Sequence, residues 1–389
     1  MFILDKPYVS DFLKQTVEEF QIPVFLTPSA KELTESNKIN FVPEAEAIQR
    51  FKTNPNELIY TNSENAINWI FKNLQFTDLS KKIDLFKNKF KFRQLLKSLN
   101  PNFYFREVSF EEIENIIIEE LPFPFIIKPS VGFFSLGVHK VLNMTGWEKA
   151  KALIKKDIKI IKDVYPKEVV DVEKFIIEEN IEGDEYAFDA FYNSEGRPVI
   201  LSILKHLFSS DGDVHDRIYI SSKEIIENNI EIFLYFLQEV GKLSGLKNFP
   251  LHVEVRVDKN GKLMPIEINP LRFGGWCTTA DLTWFAYGFN PYEYIHFQKI
   301  PDWANILKDK KGKIYSNIVL NNSTEVDADK IKSFDYDSLL SKFENPLELR
   351  KADFKQFLIF GFLFTETRED NFQELEWILN SDLKEFIKT

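Results

Sequence analysis

Cysteine is nearly absent from this chain, since Cys277 is the only one among 389 residues. A single thiol excludes both a disulfide framework and a cysteine-rich metal cluster. Basic residues are also in deficit, because 60 acidic side chains outnumber 49 Lys and Arg and give a formal net charge of −11. Such a chain lacks the basic face that nonspecific nucleic-acid binding requires. We therefore expect neither a disulfide scaffold nor a nucleic-acid partner.

Long apolar runs are missing as well. The longest, FLIFGFLF at 357–364, is far too short to span a membrane. The first residues, MFILDKPYVSDF, contain neither the cationic segment nor the long apolar segment of a secretory signal peptide. We therefore expect a cytoplasmic protein with no membrane partner.

Glycine does not occur in residues 1–85, which excludes a glycine-rich dinucleotide-binding fingerprint there. This segment alternates strand-like and helix-like pieces, a rhythm that predicts a small parallel α/β lobe. The whole chain is longer than one compact core usually serves. We predict an N-terminal lobe over 1–85, a central domain over 86–300 that divides into 86–173 and 174–300, and a small C-terminal α+β lobe over 301–389.

A β-hairpin is predicted over residues 251–269. Its strands are LHVEVRV and LMPIEIN, and the Asn260-Gly261 dipeptide between them is typical of a two-residue turn. Side chains alternate faces along a strand, so pairing outward from this turn places Glu254 directly opposite Glu267. A four-residue loop keeps the same faces together, whereas a three-residue loop places an isoleucine opposite Glu254.

One face of this hairpin therefore carries Glu254, Glu267 and Asn269. Directly opposed carboxylates destabilise a sheet unless something neutralises them, and carboxylate and amide oxygens suit Mg²⁺. The alternative is a solvated face on which Arg256 pairs with one carboxylate. Arg272, in the glycine-broken loop that follows, offers a fork for a carboxylate or phosphoryl anion. The predicted metal is Mg²⁺, with Mn²⁺ as an alternative.

Two further local predictions concern secondary structure. Ser109 and Glu112 form the spacing of a capping box, which predicts a helix running to Glu120. One strand is predicted over residues 198–206, and a helix over 224–243.

Four motifs, taken in order along the chain, resemble the ATP-grasp ligases. They are Lys89 in FKNKFKF, FPFIIKPSVGFFSLGV at 123–138, KFIIEENIEGDEYAFDAFY at 174–192 and the hairpin. Each motif alone also fits an ordinary strand, loop or solvated helix, and their shared order and spacing carry the resemblance. It covers about residues 86–300 and implies a fold of class α/β (α+β), an ATP-grasp domain behind a Rossmann-like N-terminal lobe.

The resemblance also implies roles for single residues. Lys128 and Arg272 would be catalytic, and the cofactors would be ATP and Mg²⁺. Lys205 and Arg217 would be further γ-phosphate contacts, and His252 lies where some members carry arginine. The residues implied in nucleotide binding are Lys89, Lys128, Ser135 and Gly137 for the phosphates, Glu178, Glu179 and Ile181 for adenine, Glu185 for the ribose, and Lys205.

The implied reaction converts a small carboxylate into an acyl phosphate with ATP and then joins it to an amine, releasing ADP and phosphate. Three alternatives remain on the same fold: a carboxylate–thiol ligase, a small-molecule kinase and an ATP-binding regulatory module without catalysis. Retention of both acids and of Asn269 disfavours the regulatory module. Fold alone does not identify the substrates, and the oligomeric state stays open, with a homodimer as one alternative.

Overall fold

The computed structural model describes residues 1–131, 137–164, 171–209, 216–324 and 326–389. Within these ranges, no helix combines the length and the apolar character needed to cross a bilayer.

The N-terminal lobe is a parallel sheet flanked by helices, as the alternating pattern predicts. Its first two helices begin where a side chain accepts a backbone N–H: the Ser10 hydroxyl accepts from Leu13 at 3.1 Å, and Thr27 caps a helix that has Pro28 in its first turn. The elements are β1 (Phe2–Ile3), α1 (Asp11–Glu19), β2 (Val24–Phe25), α2 (Pro28–Thr34), β3 (Phe41–Val42), α3 (Glu44–Thr53), β4 (Tyr60–Thr61), α4 (Ile67–Asn73), α5 (Leu79–Lys87) and α6 (Lys89–Leu95). The strand order is β3-β2-β1-β4.

A second, antiparallel sheet forms the small lobe of the central domain. Its strands are β5 (Phe105–Ser109), β6 (Phe125–Val131), β7 (His139–Val141) and β8 (Asp171–Glu179), in the order β5-β8-β6-β7, and α7 (Met144–Val164) packs against them.

The helix predicted from the Ser109–Glu112 capping box is wrong, although the capping box forms. The Ser109 N–H donates to the Glu112 carboxylate at 2.6 Å, and the Glu112 N–H donates to the Ser109 hydroxyl at 3.3 Å. Two short 3₁₀ turns follow, Ile113–Asn115 and Ile118–Glu120. Isoleucines dominate this stretch, and β-branched side chains lower helix propensity. Ile113 and Ile118 are buried in the lobe core instead.

A nine-stranded sheet connects the rest of the molecule. Its strands are β9 (Asp184–Tyr192), β10 (Pro198–Ile200), β11 (Leu204–Leu207), β12 (Ile218–Ser222), β13 (Phe249–Val257), β14 (Leu263–Pro270), β15 (Lys313–Asn321), β17 (Pro346–Lys351) and β18 (Ile359–Arg368). They pair in the order β14-β13-β9-β11-β12-β15-β18-β17, and β10 pairs with β9. Three of these strands lie beyond residue 300, so the predicted C-terminal lobe shares this sheet with the central domain.

The single strand predicted over 198–206 is two strands, β10 and β11. Between them the chain bends around Asp189, because the N–H groups of Leu201 and Ser202 both donate to the Asp189 carbonyl. The Ser202 hydroxyl in turn accepts from the Asp189 N–H at 3.0 Å. These bonds replace the regular ladder at this point.

Helices cover the faces and the ends of the large sheet. The predicted helix is α8 (Lys223–Ser244), which is capped by Ser222 and ends at Gly245 in the left-handed conformation. Phe233 of α8 stacks on Phe188 of β9 with 4.7 Å between ring centroids. The remaining elements are α9 (Thr278–Tyr287), α10 (Pro291–His296), α11 (Trp303–Ile306), β16 (Ser333–Phe334), α12 (Tyr336–Leu340), α13 (Phe354–Phe357), α14 (Gln373–Asn380) and β19 (Ile387–Lys388).

The N-terminal lobe docks on the loop that follows β14. The Thr61 N–H at the end of β4 donates to the Leu271 carbonyl at 2.7 Å. The buried Tyr60 ring packs against Phe273 and Tyr292, with centroid distances of 5.0 and 5.7 Å. One continuous apolar core therefore includes the first lobe and the loop that carries Arg272.

Gly183 lies at the turn between β8 and β9, where its φ is +118° and a Cβ would lie 2.4 Å from the Val257 carbonyl oxygen. We expect Gly183→Ala to lower the free energy of unfolding, because both the conformation and the contact exclude a methyl group. Gly312→Ala is the matched control, since φ there is +74° with no atom within 4 Å of the added carbon. Conformational strain alone costs about 1–2 kcal/mol. Urea denaturation of both variants measures the difference, and equal losses would contradict the steric account.

Candidate active site

The hairpin pairs β13 with β14 as the sequence predicts at its acidic end. Glu254 lies opposite Glu267, and His252 lies opposite Asn269. Val253 pairs with Phe188, whose ring stacks on α8, so the alternating residues His252, Glu254 and Arg256 share the face that is turned away from α8. This face is the base of the candidate active site.

The predicted two-residue turn is wrong, and a second irregularity compensates for it. Val257 pairs with Leu263 across a longer connection, in which the Gly261 N–H donates to the Asp258 carbonyl at 2.9 Å. That pairing alone would place Ile266 opposite Glu254. A β-bulge between Glu254 and Val255 shifts the register by one residue and restores the predicted pair of carboxylates.

The two carboxylates differ in their surroundings. Glu267 accepts a hydrogen bond from the Asn269 amide at 2.9 Å and lies 3.5 Å from the Lys89 ammonium. Burial alone would raise the pKa of Glu267, but Lys89, Asn269 and Lys128 lower it to about 2. Burial and the negative charges of Glu267 and Asp216 raise the pKa of Glu254 well above its ordinary value.

The donor set fits the predicted Mg²⁺. In the described part of the chain, no group of three or more His, Cys, Asp and Glu side chains is arranged for a metal, so the ligands would be Glu254, Glu267 and the Asn269 amide. Two carboxylates and an amide oxygen are hard oxygen donors. Burial and, after it, the charge of Glu267 raise the pKa of Glu254, so the ionised pair is disfavoured without a cation. A divalent cation would supply the neutralising charge.

A buried aspartate that the sequence did not single out organises the loop beside this pair. Asp189 accepts from His252 Nδ1 at 2.8 Å, from the Gly274 N–H at 3.0 Å and from the Thr279 hydroxyl. It thereby fastens the loop after β14 to the sheet. The alternation of β9 contained the signal, because Asp189 is in phase with Glu185 on the site face.

Lys128, the predicted phosphate lysine, is buried on β6 and paired with Glu178. Its ammonium lies 2.6 Å from Glu178 Oε1, and the Arg93 Nε donates to Oε2, also at 2.6 Å. Burial alone would raise the pKa of Glu178, but the positive charges of Arg93 and Lys128 lower it to about 2. Burial and the nearby cations Arg93 and Lys89 lower the pKa of Lys128. Both Glu178 oxygens are thus engaged by cations, and its predicted contact with adenine stays a prediction.

Lys89 lies at the first position of α6. The Asn88 side chain caps this helix by accepting from the Lys91 N–H at 3.0 Å. An amide oxygen therefore fills the capping role at the position where the resembled family usually carries aspartate. The cap fixes the start of the helix and places Lys89 against Glu267.

Both carboxylate oxygens of Glu185, the predicted ribose acceptor, have side-chain partners within hydrogen-bond distance. His206 Nδ1 lies 3.1 Å from one oxygen, and Arg256 Nε donates to the other at 3.0 Å. Burial alone would raise the pKa of Glu185, but His206 and Arg256 lower it. Arg256 also donates to the Ile181 carbonyl at 2.6 Å, so it orders the β8–β9 turn rather than pairing with Glu254 or Glu267.

Arg272 lies at the junction of the site with the N-terminal lobe. Its Nε and Nη2 donate to Glu64 at 3.3 and 3.1 Å, and its Nη1 donates to the Phe273 carbonyl. Lys87 pairs with the other oxygen of Glu64. Nothing in the sequence around Glu64 indicated this contact, since it depends on how the lobes dock.

Lys205 is the predicted nucleotide contact that the structure places elsewhere. It pairs across the sheet with Tyr186, whose ring packs against Phe233 of α8, and its ammonium lies 2.7 Å from Asp184. Lys205 therefore lies on the α8 face of the sheet, away from Glu254, and its predicted phosphate contact stays a prediction. His206 occupies the site face instead.

Four further residues were predicted to contact the nucleotide. Ser135 lies outside the described residues. Gly137 has a φ of +70°, a conformation that suits glycine. Glu179 donates its N–H to the Tyr104 carbonyl at 3.1 Å. Arg217 is buried beside the start of β12. The roles proposed for all of them stay predictions.

A family model described as "ATP-grasp domain" matches residues 121–280. This range includes Lys128, the β8–β9 turn, the hairpin and Arg272. ATP and Mg²⁺, the cofactors expected from the sequence, are those that ATP-grasp enzymes use.

Solved structures with the same fold extend over nearly the whole chain. An L-amino acid ligase from Bacillus licheniformis has 17% identity and a TM-score of 0.68, over 99% of this chain and 97% of that one. An N5-carboxyaminoimidazole ribonucleotide synthetase from Thermotoga maritima has 15% identity and a TM-score of 0.63, over 100% and 98%. A biotin carboxylase complex from Campylobacter jejuni has 13% identity and a TM-score of 0.63, over 94% and 87%. No curated protein sequence matches the chain. At these identities the likeness establishes the fold.

Because the pKa of Glu178 is lowered, we predict that this residue contributes less to the free energy of unfolding in acid. A carboxylate whose folded pKa is about 2 rather than 4.5 stabilises the protein above its ordinary pKa, and this contribution is lost as the pH falls. The stability advantage of the unaltered protein over Glu178→Gln is expected to shrink by about 2 kcal/mol between about pH 6 and about pH 3. Chemical denaturation across this range provides the measurement. Glu182→Gln, on an exposed glutamate of the same turn, is the control, and a pH-independent advantage would refute the assigned ion pairs.

Proposed function

Because residues 121–280 of this chain are an ATP-grasp domain, we propose that the protein is an ATP-dependent ligase. It converts a small carboxylate into an acyl phosphate and joins it to an amine, releasing ADP and phosphate. The observation that supports the proposal is the opposed pair Glu254 and Glu267, with the cations Lys89, Lys128 and Arg272 near it.

These groups are close enough to influence one another electrostatically. Lys89 and Lys128 both lower the pKa of Glu267, and Arg272 acts in the same direction on Glu254. Cations from α6, from β6 and from the loop after β14 thus surround one acidic pair. That is the charge arrangement required to bind polyphosphate through a bridging divalent cation.

The reaction divides into two displacements. A substrate carboxylate oxygen attacks the γ-phosphorus of ATP, and the bond to the β–γ bridging oxygen breaks to release ADP. The amine nitrogen then attacks the acyl carbon, inorganic phosphate leaves, and the nitrogen loses a proton to solvent or to a nearby base. Mg²⁺ bound by Glu254, Glu267 and Asn269 would neutralise phosphate charge.

The side chains of this protein have complementary roles in that scheme. Lys128, oriented by Glu178, and Lys89, placed by the Asn88 cap, bind phosphate oxygens. Arg272 binds the acceptor carboxylate or the transferring phosphoryl group, and in the structure Glu64 holds its guanidinium through Nε and Nη2. The proposal needs no covalent protein nucleophile, because charge neutralisation and positioning lower the barrier.

Of the two proposed substrates, the carboxylate and the amine, the chemical class of the amine is less well defined. The L-amino acid ligase from Bacillus licheniformis shares the fold over nearly the full length of both chains, which supports amino acids as the first class to test. The net charge of −11 favours small substrates over nucleic acid or another large polyanion.

ADP release, measured with Mg²⁺ and ATP against a panel of amino acids and small carboxylates, tests the proposal. A ligase is expected to release ADP and phosphate only when both an acid and an amine are present. ADP formed with the acid alone, together with a stable phosphorylated product, would replace the ligase with a kinase. Tight ATP binding without turnover across the panel would favour the regulatory module.

Glu267→Gln is the matching variant, and we expect it to abolish Mg²⁺-dependent ADP release because the cation loses a charged ligand. Its control is Glu366→Gln, on a glutamate of the same sheet that pairs with Lys313 at 3.0 Å. Undiminished turnover by Glu267→Gln would show the metal assignment to be wrong. Comparable losses in both variants would show that the effect is general rather than local.

A further inference from the structure

Arg93 contacts both halves of the candidate active site. This buried arginine on α6 is 4% exposed. Its Nε donates to Glu178 at 2.6 Å, its Nη1 donates to the Pro265 carbonyl at 2.6 Å, and its Nη2 donates to the Ile266 carbonyl at 3.3 Å. One guanidinium therefore holds the partner of Lys128 and the backbone of the metal hairpin at the same time.

The hairpin contact falls on the β-bulge. Val255 pairs with Pro265 and Glu254 pairs with Glu267, so Ile266 is the extra residue. A bulge disrupts the local ladder and leaves its extra residue unpaired. Because β14 is an edge strand of the large sheet, carbonyls on its outer side have no neighbouring strand. Arg93 supplies hydrogen-bond donors to two carbonyls at this position.

The bulge determines which side chain lies opposite Glu254. Without it, the register of the turn would place Ile266 there, and a shift of one residue exchanges the faces of a strand. Arg93 donates to the carbonyls of Pro265 and Ile266, the residues of β14 at which the bulge forms. It therefore favours the register in which Glu267 faces Glu254.

The second contact of Arg93 extends to the small lobe. Glu178 on β8 accepts from Arg93 on one oxygen and from Lys128 on the other. The position of the Lys128 ammonium thus depends on a carboxylate that Arg93 holds. The guanidinium also lies over the Phe103 ring at 4.8 Å, which orients its plane.

We propose that Arg93 is a positioning residue that sets the distance between the phosphate lysine and the acidic pair, and so couples nucleotide binding to divalent-cation binding. The inference rests on the proposed function, because it assumes that both ligands occupy this site. Arginine is required, since its planar fork serves three acceptors on two strands, whereas a lysine ammonium is a single point donor.

ADP binding measured by calorimetry at increasing Mg²⁺ concentration tests the coupling without knowledge of the substrates. In the unaltered protein we expect Mg²⁺ to strengthen ADP binding. In Arg93→Lys this strengthening is expected to fall by roughly tenfold or more, the usual effect of removing a residue that orients a metal site. ADP affinity without Mg²⁺ should change much less, because the lysine keeps the positive charge beside Glu178.

Arg350→Lys is the matched control for loss of a buried arginine. Arg350 is 8% exposed and is paired with Asp281 and Glu348, on the strand at the opposite edge of the large sheet. We expect it to lower thermal stability and to leave the Mg²⁺ dependence of ADP binding intact. A double variant, Arg93→Gln with Glu178→Gln, removes both charges together and replaces Arg93→Lys if that protein does not fold.

The outcomes are distinguishable. Full Mg²⁺ strengthening in Arg93→Lys, or in the double variant, overturns the coupling role while leaving the ligase proposal in place. An equal loss of strengthening in Arg350→Lys also overturns it, because the effect would then follow from stability alone. Absence of ADP binding by the unaltered protein at any Mg²⁺ concentration overturns the proposed function and this inference with it.

Discussion

Two carboxylates held directly opposite each other on a partly buried sheet face repel, and much of this structure offsets that repulsion. Burial and Glu267 raise the pKa of Glu254 well above its ordinary value, while nearby cations keep Glu267 ionised. Such an arrangement is costly without a ligand, since like charges directly opposite one another destabilise a sheet. A divalent cation held by Glu254 and Glu267 would remove this cost. The opposed carboxylates Glu254 and Glu267 are therefore the centre of the proposed function.

The charges that complete the site come from distant parts of the chain. Lys89 is fixed by a helix cap, Lys128 by a carboxylate of the neighbouring strand, and Arg272 by Glu64 of the N-terminal lobe. Docking of that lobe on the loop after β14 brings the last pair together. In the proposed function these groups act on one polyphosphate, so the docking of the N-terminal lobe would hold Arg272 in place for it.

Alternation along strands was the part of the sequence that predicted the site best. Polar residues with a period of two placed Glu254 and Glu267 on one face, and the parallel N-terminal lobe followed from its α/β rhythm. The prediction of the turn was wrong, but the prediction that Glu254 lies opposite Glu267 was correct. The bulge at Ile266 cancels the difference in loop length. The position of Lys205 on the α8 face was not predicted, because no strand register was assigned to that segment from the sequence. Arg93, four residues after Lys89 on the same helix, could have been inferred from helical spacing. The contacts of Asp189 and Glu64 depend on long-range packing that no local pattern encodes.

The central claim is that Glu254 and Glu267 together hold a divalent cation beside the nucleotide. Electron paramagnetic resonance of Mn²⁺, titrated in the presence of ADP, measures this directly for the unaltered protein and for Glu254→Gln. We predict an ADP-dependent Mn²⁺ site in the unaltered protein and its loss in the variant, with the far-ultraviolet circular dichroism spectrum unchanged. Equal Mn²⁺ binding by the two proteins would contradict the account.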